Sequence, residues 1–223
     1  MSELAPLITY FDVRGRAEVI RLIFEETGTP YRERRIKLED WPALKPTLPF
    51  AQLPTYEDGE LSIVHSHAIY RHLARKHGLC GNSESERVRC DVVEETFVDA
   101  QSSIGGFFGI PSSRLNVTNT NATLPDLLGR LQRLLEQNDG GNSYWVGRQL
   151  TLADFVAWPA LDYVRPFSQR TLERFDKLYA FKQRFEARPR IAAYLNSDRR
   201  QERRPWRWLP SAVRLKQVSI LRA

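Results

Sequence analysis

Apolar and polar positions follow two different rhythms along this chain, and the change falls near residue 81. Leu4-Ala5-Pro6-Leu7-Ile8-Thr9 is a short apolar run into Tyr10; after Gly15, Val19, Ile20, Ile23 and Phe24 recur at helical spacing. That predicts a strand, a sharp turn at Gly15 and a helix, stopped by Gly28-Thr29-Pro30. Tyr31 to Lys37 is extended and polar enough for a strand near a sheet edge. Prolines 42, 46 and 49 forbid a long regular element between Leu38 and Phe50, so this stretch is a surface loop. Gln52 to Val64 predicts a hairpin with Asp58-Gly59 as its two-residue turn. Ser66 then caps a helix carrying Ala68, Ile69, Leu73 and Ala74 and closed by Gly78.

Beyond a linker at Gly81-Asn82-Ser83-Glu84 every periodic signal is helical. Val88, Val92 and Thr96 form one row and Val93, Phe97 and Ile104 another, beside an acidic row of Asp91, Glu95 and Asp99. Pro125 opens a leucine-faced helix that ends at Asn138-Asp139-Gly140-Gly141. Thr151, with Asp154 three residues on, is a capping signal before Phe155-Val156-Ala157-Trp158. Phe175, Leu178, Phe181 and Phe185 face a further helix, broken at Arg188-Pro189. The pattern divides the chain into an α/β domain over 1–81, an all-helical domain over 84–197 and an extension over 198–223.

Charge changes this picture only at the end. The net charge of +6 over 223 residues is matched by the stretch from Asp198 to Ala223 alone, where eight basic residues face two acidic ones. The body therefore carries 25 charges of each sign, and basicity belongs to the tail, which holds Trp206 and Trp208 but no nucleic-acid reading motif. No apolar run approaches the ~20 residues of a membrane span, and the first residues lack a secretory pattern. The expectation is a cytoplasmic protein with Cys80 and Cys90 reduced, without metal-ligand spacing, and with the Asn116 and Asn121 acceptor triplets unused.

The candidate chemistry sits where the first strand meets the first helix. A polar residue at such a strand end, here Tyr10, lies beside free helix N–H groups, where an anionic ligand is favoured. The helix start at Ser66 offers a second such place. In the proline-rich loop, Trp41 and Lys45 either contact that ligand or, for Trp41, pack beneath the loop itself.

Tyr10-Phe11 with Arg14-Gly15-Arg16-Ala17-Glu18, the run Asp40-Trp41-Pro42 through Lys45 to Phe50, Gln52-Leu53-Pro54, Asp58-Gly59 and Thr151-Leu152-Ala153-Asp154-Phe155 together resemble a cytosolic glutathione S-transferase, over roughly Leu7 to Leu195. The N-terminal motifs are most similar to the sigma class and then to the pi class. The resemblance implies a thioredoxin-like N-terminal domain followed by an all-helical one. It also implies glutathione as co-substrate and no metal. The phenol of Tyr10, helped by Arg16, would donate to the glutathione thiolate, and Trp41, Lys45 and Gln52 would hold the glycyl end. Leu53, before a cis Pro54, would pair with the cysteinyl backbone. His65 and Ser66 would receive the γ-glutamyl end, with Asp99 reaching the ligand of a neighbouring subunit. Phe11, Phe107 and Phe108 would line the pocket for an apolar electrophile, and Phe50, unless it merely covers its own domain, would insert into the partner of a homodimer. His65 stands where the family usually has Gln, which would make glutathione affinity depend on pH near neutrality. The implied activity is detoxifying conjugation of the thiolate to apolar electrophiles, with isomerase or peroxidase side activity. A non-enzymatic, crystallin-like binding protein is the alternative, and no nucleic acid or membrane span is expected.

Overall fold

A computed structural model describes residues 5–103 and 120–201. Strands β1 (Leu7–Phe11), β2 (Arg32–Ile36), β3 (Thr55–Asp58) and β4 (Leu61–Val64) form one sheet in the order β2-β1-β3-β4. β1 and β2 are parallel, from Leu7 opposite Arg32 to Phe11 opposite Ile36, and a parallel pair needs a crossover. Helix α1 (Glu18–Thr27) provides it, entered through a 3-10 turn at Gly15–Ala17. Val19, Ile20, Ile23 and Phe24 are buried as their spacing predicts, and Gly28, at φ 65°, ends the helix in the left-handed conformation. β2 is an edge strand, consistent with its polar composition.

The hairpin differs from expectation by one residue. Asp58 pairs with Leu61, so Gly59 and Glu60 make the turn rather than Asp58 and Gly59. Gly59 supplies the positive φ (59°), while the Asp58 carboxylate is held in the strand by the Tyr56 hydroxyl (2.8 Å) and the Lys76 ammonium (2.6 Å). Helix α3 (Ser66–Lys76) follows, with a second correction. The cap is His65, whose carbonyl accepts the Ile69 N–H at 3.0 Å, and Ser66 is the first helical residue.

Between Trp41 and Ala51 the chain forms the one-turn helix α2 (Trp41–Leu44) and two 3-10 turns, none of which buries a residue. The helical part comprises α4 (Glu84–Ser103), α5 (Thr120–Glu136), α6 (Leu152–Glu173), α7 (Asp176–Glu186) and α8 (Pro189–Leu195). On α4 the buried face is Cys90, Val93, Glu94, Phe97 and Ala100, whereas Val88 and Val92 are 52% and 51% exposed. α5 starts five residues before Pro125 instead of at it; the buried row Leu124, Leu128, Leu131 and Leu135 outweighs one missing N–H near the helix start. Ile104 of the predicted α4 row and Asn116 lie outside the described residues, as do Trp206 and Trp208 of the tail. Trp145, Phe97, Phe155, Trp158, Phe181 and Phe185 knit the helices, and one continuous core runs from Ile8 in β1 to Tyr194 in α8.

Thr151 and Asp154 form the expected capping box at the start of α6. The fully buried Asp154 carboxylate accepts the Thr151 N–H (2.8 Å), the Thr151 hydroxyl (3.1 Å) and the Trp145 N–H (3.0 Å). Burial pushes its pKa up to about 6, against the pull of those donors. Asp154→Ala strands two buried N–H groups and should cost about 3 kcal/mol in urea unfolding. Because the folded carboxyl holds its proton more tightly than the unfolded one, its contribution to stability is complete below pH 3.8 and lost as the pH rises through about 6. Asp154→Asn should flatten stability against pH across that window.

Candidate functional site

The sheet topology delivers the candidate residues to one end. β1 ends at Phe11 opposite Ile36, so the segment carrying Trp41, Lys45, Phe50 and Gln52 starts beside Tyr10. β3 runs antiparallel to β1 with Thr55 opposite Thr9, which brings Leu53 and Pro54 alongside Tyr10 and Phe11. Val64 pairs with Thr55, so His65 and Ser66 emerge at the same end. Three sequence-distant segments, 10–11, 41–54 and 65–66, thus meet where β1 stops.

Tyr10 is 9% exposed, and its Oη accepts the Arg16 N–H at 3.1 Å. The approach depends on Gly15, at φ 43°, because a Cβ there would lie 2.6 Å from that oxygen. Burial raises the Tyr10 pKa above its ordinary 10, against the lowering effect of the Arg16 N–H and the Arg16 and Arg21 charges. Tyr10 therefore stays a phenol at neutral pH, and among the described residues nothing accepts its proton. The Arg16 side chain is exposed, and its hydrogen bond to Tyr10 is made by the backbone.

Phe11 bridges outward from Tyr10 to Trp41, with ring centroids 5.7 and 5.1 Å apart, so Trp41 packs on the rim of the site. The Lys45 and Gln52 side chains make no hydrogen bond to described residues. The Leu53–Pro54 peptide is cis, as the motif implies. His65 takes φ 66°, a conformation costing ~1–3 kcal/mol for a residue with a Cβ, and its ring lies 5.5 Å from that of Phe50. Ser66 is 3% exposed at the first position of α3. Asp99 is exposed on α4, and Phe107 and Phe108 lie outside the described residues. A cavity of about 190 Å³ lined by Tyr144, Phe181, Arg184 and Arg188 belongs to the helical part and includes none of these residues.

Two charge clusters that sequence reasoning missed support this end of the sheet. Glu94, 1% exposed on α4, accepts from His67 Nδ1 (3.0 Å, with the imidazole as donor) and Arg71 Nε (2.7 Å), tying the start of α3 to the helical part. Arg21, fully buried, donates to Glu33 (2.5 Å), Glu18 (3.3 Å) and the carbonyls of Val13 (3.3 Å) and Arg14 (3.1 Å). Burial opposes its charge, but Glu18 and Glu33 outweigh that and raise its pKa. The signal was available: Arg21 and Glu94 each fall on a row of buried apolar positions, where a charge persists only if paired.

Models of the glutathione S-transferase N-terminal and C-terminal domains match residues 6–75 and 112–198. Glutathione S-transferase 2 of Gallus gallus is 38% identical over 200 residues, covering 85% of this chain and 89% of its own. Glutathione S-transferase Mu 5 of Mus musculus is 35% identical over 213 residues, or 89% and 92% of the two chains. The solved pi-class enzyme of Onchocerca volvulus matches with a TM-score of 0.80 at 30% identity, over 86% of this chain and 92% of that one. Prostaglandin synthase D of Nilaparvata lugens reaches 0.75 at 27% identity, over 87% and 98%. The class names among these transferases are mu and pi, and the sigma assignment suggested by the N-terminal motifs gains no support from them. With sequence relatives at this identity along most of its length, and a thioredoxin-like sheet joined to a helical bundle, the chain belongs to the glutathione S-transferase family.

Proposed function

We propose that in this glutathione transferase the phenol of Tyr10 donates a hydrogen bond to the glutathione sulfur and holds it as the thiolate. The observation that supports this most is the Arg16 N–H on the Tyr10 oxygen: it polarises the hydroxyl while leaving its proton free to donate. Glutathione is mostly a thiol at neutral pH, and lowering its pKa by ~2 units requires ~2.7 kcal/mol of preference for the anion. One charge-assisted hydrogen bond in a buried site is of that order. The thiolate then attacks an apolar electrophile; with a chloronitrobenzene, the C–S bond forms as the C–Cl bond breaks, and the thiol proton has already gone to solvent.

In the same reading Trp41, Lys45 and Gln52 hold the glycyl carboxylate, the Leu53 backbone before Pro54 pairs with the cysteinyl unit, and His65 and Ser66 receive the γ-glutamyl end. Phe11 faces the acceptor. The divisions at 81–84 and 197–198, the cytosolic setting and the detoxifying role belong to this reading too.

A homodimer completes it. Phe50 is 74% exposed, and Val88 and Val92 stand out on α4, apolar surface that a second copy would cover while its Asp99 reaches the first copy's ligand.

The protein should be retained on immobilised glutathione and conjugate a chloronitrobenzene; binding without turnover would favour a non-enzymatic role. Tyr10→Phe should lower kcat by roughly 30- to 100-fold while glutathione affinity stays within a few-fold. In sedimentation equilibrium, Phe50→Ala should weaken the dimer by roughly a thousandfold, since each buried Phe contributes about 2 kcal/mol and two-fold symmetry counts it twice.

A further inference from the structure

The chain does not leave the fold at the end of α8. Arg199 grips Glu25 with two bonds (2.7 and 2.9 Å), and its carbonyl accepts from Arg35 at 2.7 Å. Arg200, only 12% exposed, reaches Glu18 Oε1 (3.2 Å) with Nε and Asp162 Oδ2 (3.3 Å) with Nη2, its guanidinium 5.2 Å from the Trp158 ring. The Gln201 carbonyl accepts from Arg14 Nε at 2.7 Å, and Arg14 Nη1 also approaches Asp162 Oδ2 at 3.4 Å.

These contacts converge on one turn. Gly15–Ala17 carries the N–H that reaches Tyr10, and it lies between Arg14 and Glu18. On one side, Arg14 is held by Asp162, which Arg200 also binds, and by the carbonyl of Gln201, the residue that follows Arg200. On the other side, Arg200 binds Glu18 directly. We infer that Arg200, at the root of the basic extension, is a positioning residue for thiol activation: it clamps both ends of the Gly15–Ala17 turn and so keeps the Arg16 N–H on the Tyr10 hydroxyl. The inference rests on the reading of Tyr10 as the thiol-activating group. It gives the first residues of the extension a task distinct from the charge of the rest: Arg199 and Arg200 are spent on carboxylates of the body, and the excess positive charge belongs to the residues beyond them.

The test is a titration of enzyme-bound glutathione by its ultraviolet thiolate absorbance, in the full-length protein. Arg200→Gln should raise the bound-thiol pKa by about half to one unit, lowering kcat/KM at neutral pH roughly three- to tenfold and recovering at high pH, where the thiol ionises unaided. Affinity for S-methylglutathione, which has no thiol to ionise, should stay within about twofold. Arg200→Lys should restore part of the shift, and Arg199→Gln, which breaks only the exposed bridge to Glu25, should titrate as the parent does. If Arg200→Gln fails to fold, Asp162→Asn carries the same expectation, because it removes the carboxylate shared by Arg14 and Arg200. A parent-like titration in the folded Arg200 or Asp162 variant, while Tyr10→Phe raises the pKa, overturns this inference alone. A parent-like titration of Tyr10→Phe overturns the reading of Tyr10, and this inference with it.

Discussion

A guanidinium without access to water, that of Arg21, constrains everything around it. Its charge survives in the interior only because Glu18 and Glu33 lie beside it, and each of those carboxylates is anchored elsewhere. Glu33 fixes β2 and Glu18 receives the Tyr194 hydroxyl from α8 at 3.2 Å. The same guanidinium holds the carbonyls of Val13 and Arg14, so the loop leaving β1 is shaped by a side chain from the helix it leads into. Removing one partner of such a buried pair costs about 3–5 kcal/mol, mostly because the other is left uncompensated. Sheet, crossover helix, α8 and the loop leaving β1 are thereby registered against one point.

The parts of the fold legible in the sequence were those written in periodicity and turn chemistry. The spacing of Val19, Ile20, Ile23 and Phe24, the stop at Gly28 and the Thr151–Asp154 box each depend on residues within one or two turns of one another, and each stands as read. The errors arose where a distant partner decided the outcome. Asp58 remains in its strand because Lys76 of α3 reaches it, and the hairpin turn moves on by one residue. Val88 and Val92 have helical spacing but face away from the core, a distinction that period alone cannot make.

The site was legible in a different way. Tyr10, the Leu53–Pro54 cis peptide and the helix beginning at Ser66 were marked by motifs, and strand pairing accounts for their meeting at one end of the sheet. The supporting charges were not marked, because Glu94 with Arg71, or Asp162 with Arg200, are joined only in three dimensions. A charge on an apolar row announces that a partner exists without saying where.

Two sets of ion pairs join the sheet part to the helices at separate places, Glu94 with His67 and Arg71, and Asp162 with Arg14, and together they act as rivets. Parting the sheet part from the helices would strip Glu94 of His67 and Arg71 and separate Arg14 from Asp162, whereas Glu18 would keep Arg21 on its own helix. Residues 41–51 are held less firmly: they bury no side chain, and Phe50 and Ala51 sit at positive φ. A segment packed so lightly, beside ion pairs that hold the rest in place, is the part of this end of the sheet whose opening costs least.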